Sequence, residues 1–510
     1  MHSKEKTASV LIYFAIIIFT ISFFSCGSKT ADEPEEKILV RIGDKTTISL
    51  NEFLRRAEYT PRPAYCRFNS YLHKKIILNS LIAEKLIALE AGDNSPLTRN
   101  EEFQRFIKGR KEQAMRQWMR HVEATQKVKL DTSEINRAYN FAGRECEIAY
   151  FSLSDSSMVN KVQQQLTSTE NFFEEMYCNL TGDSAAPRRT IKWTDQEHNK
   201  VHNALFSNDL KIGQVLDPIK IADDDYLIIK VLGWSDEMAM TSQQRQERYT
   251  KVTEKLTEIK ANAIWTERLG EIMRGKRLDF DEDTFYKLTE LFYPIYFKSD
   301  EEERDEIVEK LWGYNEKEID TALLNVAEEE FLSRPFFTVE GRVWTVDDFR
   351  SELMSHPLVF RKMNMSSNEF ARQFRLAVAD LVRDIFVTEE AYKKSYDRIN
   401  VVKRNEDMWR DTFVALQYKT EYLRSVGENR NFARHYMAIL EERLNPWIDQ
   451  LQKKYYKQVE LDFETFEDIH LTSIDMFVKQ PNQPFPYVVP LFPVTTTDNL
   501  IEYVKRMEKP

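Results

Sequence analysis

The residues that could carry chemistry are few and scattered. His198 and His202 stand four apart on a predicted helix, with Glu197 beside them, a spacing that can seat a metal ion on one helix face. No matching third ligand accompanies them and the H-E-x-x-H order is absent, so the pair reads as a solvated helix face. His73, His121, His356, His435 and His470 are isolated. No G-x-S-x-G supports acyl transfer. Asp223-Asp224-Asp225 lacks the D-x-D-x-D-G order of a calcium loop and reads as a solvated turn. Neither G-x-G-x-x-G nor G-x-x-x-x-G-K-[ST] is present. The sequence therefore implies no metal and no cofactor. The formal net charge of −11 repels phosphate backbones and argues against nucleic acid as a partner.

The chain that must position any site has 510 residues, enough for about three domains. It is 42% apolar and 30% charged, with only 13 Gly, a composition of long helices around real cores. At the N-terminus, Lys4 and Lys6 precede a 15-residue apolar run from Val10 to Phe24. That is shorter than the ~20 residues of a relaxed membrane span and fits a signal peptide. The run ends in Ser25-Cys26-Gly27-Ser28, which resembles a bacterial lipobox with Phe23 in place of the usual aliphatic residue. The resemblance implies cleavage before Cys26, acylation of its thiol and a membrane anchor. Cys66, Cys146 and Cys178 form no C-x-x-C pair, and an odd count leaves one over from any disulfide, so buried unpaired thiols are expected.

Residues 38–48 read as a hairpin with Gly43-Asp44 at its turn, and Ser49-Leu50-Asn51-Glu52 as a capping box opening a helix at Phe53. Helices follow over about 70–91, stopped by Gly92, and over about 100–128; a shorter one, capped by Asp131, Thr132 or Ser133, covers 134–141. Strands at 147–153, 190–194 and 225–232 alternate with helical stretches at 158–166, 172–177 and 196–205; a long helix returns at 241–270. The later chain echoes the earlier one. Val339-Glu340-Gly341-Arg342-Val343 repeats the hairpin, and Thr345-Val346-Asp347-Asp348 the cap, with Phe349 in the place of Phe53. Ser80–Leu86 aligns with Asp380–Phe386, and Leu278-Asp279-Phe280 with Leu461-Asp462-Phe463, each ahead of a further Phe, Phe285 or Phe466. Three echoes in one order point to internal duplication.

A hairpin with Gly, a capped helix, the stretch LIAEKLIALEAG and a long charged helix resemble the N-terminal chaperone domain of the SurA, PpiD and PrsA type. Ala204-Leu205-Phe206, Lys211–Val215, Pro218-Ile219 and Tyr226–Val231 are similar to the later half of a parvulin prolyl isomerase, and Glu170–Glu175 to its F-x-x-x-A helix. Parvulins place two His on the floor of the proline pocket. Here Tyr150 or Ala149 stands at the first position and Leu227 at the second, while Ile191-Lys192-Trp193-Thr194 lacks the pocket Phe. Catalysis needs a pocket that binds the twisted amide better than the planar one; without those groups the resemblance implies a binding-only domain. Aromatics on a concave surface would bind alternating client strands loosely; Trp118, Trp344 and Trp409 are the candidates, with core packing the favoured alternative.

The expected fold is mainly α with an inserted small α+β, parvulin-like domain and a duplicated SurA-like helical module. Its parts are a lipoprotein signal peptide over 1–25, a flexible tether over 26–37, a helical chaperone domain over 38–140 and the degenerate parvulin-like domain over 141–235. A helical connector over 236–330, a second helical copy over 331–430 and a C-terminal helix with an extended Pro-rich tail over 431–510 complete it. The expected function is an envelope lipoprotein chaperone for unfolded or outer-membrane polypeptides. An active prolyl isomerase with a diverged pocket, or an assembly lipoprotein binding one folded partner, are the alternatives.

Overall fold

The computed structural model describes residues 36–507, apart from 154–157, 160–171, 297–328 and short stretches at 94, 196, 208, 223–224, 363–364, 366, 474–475, 481 and 502–503. The signal peptide, Cys26 and most of the tether lie outside the described residues, as do most of the helix expected at 158–166 and much of the connector.

Along the chain run β1 (Ile38–Ile42), β2 (Thr46–Ser49), α1 (Leu50–Glu58), α2 (Tyr71–Ala91), α3 (Glu101–Glu123), α4 (Thr132–Phe141), β3 (Arg144–Leu153), α5 (Phe172–Thr181), β4 (Arg188–Lys192), α6 (Asn199–Phe206), β5 (Ile219–Ala222), β6 (Asp225–Asp236) and α7 (Ser242–Met273). There follow β7 (Leu278–Phe280), α8 (Glu282–Tyr296), β8 (Pro335–Val339), β9 (Arg342–Thr345), α9 (Val346–Ser355), α10 (Ser367–Lys393), α11 (Asn400–Ser425), α12 (Phe432–Ile439), α13 (Asn445–Tyr455), β10 (Val459–Leu461), α14 (Phe463–Asp468) and β11 (Lys505–Arg506). Among the described residues the fold is mainly helical with three small sheets, ordered β11-β10-β1-β2, β4-β3-β6-β5 and β7-β8-β9. Residues 119–272 form one compact unit; the residues up to 118 together with 273–510 form the other.

In the larger unit two hairpins set the pattern. The first turns through Gly43 at φ 59°; the second turns through Glu340 and Gly341, at φ 50° and 77°, the paired left-handed residues of a tight two-residue turn. Each feeds a capped helix. Ser49 Oγ accepts from the Glu52 amide at 3.0 Å. The expected reciprocal bond from Glu52 gives way to an inward contact with Lys85, 3.4 Å away. At Thr345 the full capping box forms with Asp348.

Each hairpin takes a third strand from far along the chain. β10 lies antiparallel on β1, pairing Val40 with Leu461, and β7 lies antiparallel on β8, pairing Phe337 with Phe280. Just after each strand an aspartate caps the next helix. The Asp281 amide donates to Phe336 O (2.9 Å) and its carboxylate accepts from the Thr284 amide (3.0 Å). The Asp462 amide donates to Leu39 O (3.0 Å) and its carboxylate accepts from Thr465 (3.1 Å). Buried Phe285 and Phe466 follow at the same offset. The matching motif is thus D-x-x-T-F, and it shifts the alignment of Leu278-Asp279-Phe280 with Leu461-Asp462-Phe463 by two residues. Asp281 answers to Asp462.

Helix α2 is capped by Ser70 and stopped, as its sequence predicts, by Gly92 at φ 68°. From Ile76 to Ile87 every side chain is buried, so it is a central helix packed on α11 and α13. That burial carries charges inward. Arg56 and Glu84 pair at 2.9 and 3.0 Å, both fully buried, and Arg56 also donates to Thr412 Oγ1 (3.2 Å). Lys85 pairs with Asp411 at 3.0 Å, and Arg410 reaches the same carboxylate at 3.2 Å. Burial works against the charge on Lys85, but Asp411, Glu52 and Glu84 outweigh it and its pKa is raised. Burial raises the Glu52 pKa against the pull of Lys85 and Arg56. Elsewhere in this unit Gly109 lets α3 pass the end of α9: a Cβ there would stand 1.8 Å from the Ser355 carbonyl oxygen. The neighbouring His356 donates to Glu112 at 2.8 Å.

Removing one member of the buried network exposes its cost. Arg56→Met leaves Glu84 buried without its guanidinium and is expected to destabilise the chain by about 3–5 kcal/mol. The double variant Arg56→Met/Glu84→Met should recover most of that loss. Denaturation midpoints in guanidinium chloride measure both; equal losses in the single and double variants would refute a paired network.

Candidate functional site

The first candidate is the expected prolyl pocket. Strands β3 and β6 pair antiparallel, with Tyr150 opposite Ile229 and Ser152 opposite Leu227. Tyr150 and Leu227 therefore share one face of the sheet. Trp193 joins them in a cluster filled by Ile148, Val201, Leu205 and Phe206. Arg189 lies 4.9 Å over the Tyr150 ring and pairs with both oxygens of Glu197, at 2.8 and 2.9 Å. The three positions do come together, but Trp193 and Leu227 are core, and Tyr150 is half-buried beneath a guanidinium.

His202 was not anticipated there. Sequence reading places it on a solvated face, whereas it is buried on this cluster, edge-on to Trp193 at 4.5 Å. Its Nε2 lies 3.1 Å from Trp193 O; a carbonyl only accepts, so the proton sits on Nε2. Nδ1 has no hydrogen-bond partner among the described residues. Burial, with a lesser push from Lys255, drives the imidazole pKa down to about 4. The signal was the apolar pattern around it: Val201, Leu205 and Phe206 at i−1, i+3 and i+4 put His202 on the inner face of α6. His198 instead caps α6, its Nδ1 accepting from the Lys200 amide at 3.3 Å. Among the described residues no group of three His, Cys, Asp or Glu is placed to hold a metal ion.

The proposed client-binding tryptophans need correction. Trp118 and Trp344 are 7% exposed and Trp409 4%, so none faces an open groove. Trp344 stacks on Phe337 at 5.3 Å with the Arg342 guanidinium 4.4 Å from its ring. Cys66 and Cys146 are buried free thiols, their pKa values pushed up by burial to about 12 and about 11. Cys178 is free but exposed, against expectation.

The second candidate, invisible in the sequence, is a groove on the larger unit. The Pro-rich tail enters the core: Phe485, Val489, Phe492, Thr495 and Thr496 are buried. From Pro484 to Asp498 the backbone is neither helix nor strand and bends at Pro484-Phe485 and Val488-Val489, and helix side chains hold it by its carbonyls. Gln113 pairs with Phe485 like a strand, donating to its O (2.9 Å) and accepting from its N (3.0 Å). Arg110 donates to Tyr487 O (3.0 Å), Arg55 to Val488 O (3.3 Å), Arg56 to Leu491 O (2.9 Å), Lys419 to Val494 O (3.1 Å) and Asn79 to Asp498 O (2.9 Å). Burial lowers the Lys419 pKa to about 8. The Arg110 guanidinium lies 3.5 Å from the Trp409 ring centre and 4.5 Å from that of Phe485. Trp409 is thus buried beneath this segment, in one cluster with Phe106, Phe485 and Val489.

Comparison with known proteins adds little. No protein-family model and no curated protein matches the sequence. Among solved structures, the chain is similar to the foldase protein PrsA from Streptococcus pneumoniae, at 12% identity over 44% of this chain and 89% of that one, with a TM-score of 0.21. No helix of the described residues is long and apolar enough to cross a membrane.

The depressed His202 pKa fixes a sign. The folded chain keeps the ring neutral down to about pH 4, while the unfolded chain takes up its proton near the ordinary 6.5. The stability this gives is present above pH 6.5 and is lost as pH falls toward 4, about 3 kcal/mol in all. His202→Leu should flatten that window. Hydrogen exchange of the β3 and β6 amides between pH 7 and 4 reads it; identical pH slopes in the two proteins would refute the assignment.

Proposed function

We propose that this chain is an envelope lipoprotein, anchored through Cys26, that holds unfolded or outer-membrane polypeptides without catalysing a reaction on them. The observation that carries this reading is the groove: amide, ammonium and guanidinium groups of α1, α2, α3 and α11 spaced along a segment that is neither helix nor strand and directed at its carbonyls. Carbonyls are common to every polypeptide, so such a grip selects for a backbone with free carbonyls rather than for a sequence.

The second part of the proposal concerns the smaller unit, a parvulin-like insert that has lost its chemistry. Its sheet order β4-β3-β6-β5, with helices between β3 and β4 and between β4 and β5, supports that reading. So does the filling of the pocket positions by Tyr150, Trp193 and Leu227. His202, the imidazole in that cluster, is buried and already donates to a backbone carbonyl. A prolyl isomerase must bind the twisted amide more tightly than the planar one, and a packed apolar cluster offers no such preference. The twice-used hairpin, capped helix and D-x-x-T-F strand support a duplicated helical module.

Two measurements test the proposal. The full chain should delay the aggregation of several unrelated denatured proteins diluted into buffer, followed by light scattering. It should leave the isomerisation of a proline tetrapeptide within about twofold of the uncatalysed rate, whose barrier is ~18–20 kcal/mol. Protection of one client only would favour a dedicated assembly factor. Robust acceleration would make the insert an active isomerase.

A further inference from the structure

We infer that residues 484–494 are an internal occupant of the holding groove and that a client polypeptide enters by displacing them; this rests on the holding function proposed above. Three observations carry it. The first is chemical complementarity. Pro484, Pro486, Pro490 and Pro493 have no N–H, so this segment offers carbonyls and demands few acceptors. The groove answers with donors: Gln113, Arg110, Arg55, Arg56 and Lys419. A stretch of another chain that is neither helix nor strand, with prolines and apolar residues spaced like Phe485, Val489 and Phe492, presents the same atoms.

The second is partial exposure. Phe485, Val489, Pro490, Phe492 and Pro493 are buried, whereas Pro484, Pro486, Tyr487, Val488, Leu491 and Val494 are only half-buried. Six of the eleven residues 484–494 keep part of their surface in solvent, so the segment is not enclosed on every side.

The third is tethering on both sides. Upstream, Gln480 N bonds Pro486 O at 2.8 Å across a bend that puts Asn482 at φ 58°. Downstream, Thr496 Oγ1 donates to Asn445 (2.8 Å) and β11 lies parallel on β10. A segment held at both ends competes as an intramolecular ligand at roughly millimolar effective concentration. It stays available to reclose, and it lowers the apparent affinity of any client by the fraction of time the groove is empty.

The test uses the full chain and a fluorescent peptide with the sequence of residues 483–496. The wild-type chain should bind this peptide weakly, and Phe485→Ser, which loosens the resident segment while leaving the groove intact, at least tenfold more tightly. Val488→Asn, at a half-buried position, replaces it if Phe485→Ser lowers the denaturation midpoint. Independently of any variant, saturating the wild-type chain with a denatured client should speed hydrogen exchange at the Val488, Leu491 and Val494 amides. Unchanged peptide affinity in a folded variant, or unchanged exchange with client bound, overturns the inference while leaving the holding function standing. Failure to suppress aggregation together with tighter peptide binding in the variant would sink the holding function and support an exchangeable segment.

Discussion

Everything in the larger unit depends on charges kept inside its core. Arg56 sits at the junction of α1, α2, α11 and the C-terminal segment, and it bonds a member of each: Glu84, Thr412 and Leu491 O. Lys85, one residue past Glu84, ties α2 to Asp411 on α11 and to Glu52 on α1. Buried ion pairs seldom add much net stability, because desolvation offsets most of the attraction. Their effect is on geometry. An apolar α2 could rotate or slide among its neighbours at little cost; with Glu84 and Lys85 facing different partners, one rotation satisfies both. The same Arg56 that locks the core also reaches the backbone of the C-terminal segment, so the rigid interior and the peptide groove share an atom-level hinge point.

The groove follows from that arrangement. Helices alone cannot pair with a non-helical backbone, since their own amides are spent internally. Side chains supply the missing donors here. Gln113 does so with the two-bond geometry of a strand neighbour, and Arg110 does so while stacked on Trp409. Proline suits the guest because it withdraws the amides that such a surface would leave unmet.

Much of the scaffold was legible in the residues. Gly92 marks the end of α2, and both hairpins and the strands β3 and β6 follow from glycine turns and apolar runs. What escaped reading depended on distant partners. Glu52 at N3 has a local option, the capping box, and loses it to Lys85, whose buried ammonium needs a carboxylate. His202 carries the same polar label as His198, and only the burial of its neighbours separates them. For the three tryptophans the sequence offered core packing as the stronger reading and groove lining as the other, and burial decides for the core. Short β5 lacks a periodic signal of its own; it exists by pairing with β6. The repeated L-D-F string misled by two residues, since the structural equivalence lies in the capping aspartate and the buried Phe rather than in letter identity.

The crossing of the third strands has a temporal side. β1 cannot complete its sheet until β10, ending at Leu461, has been made. At ~5–20 residues per second of synthesis this is a wait on the order of tens of seconds, and pairing across so long a separation is intrinsically slow. For that interval the newborn amino-terminal hairpin keeps an unsatisfied edge, the very hazard that nascent chains in general present. The protein is thus, during its own biogenesis, a customer for assistance from others.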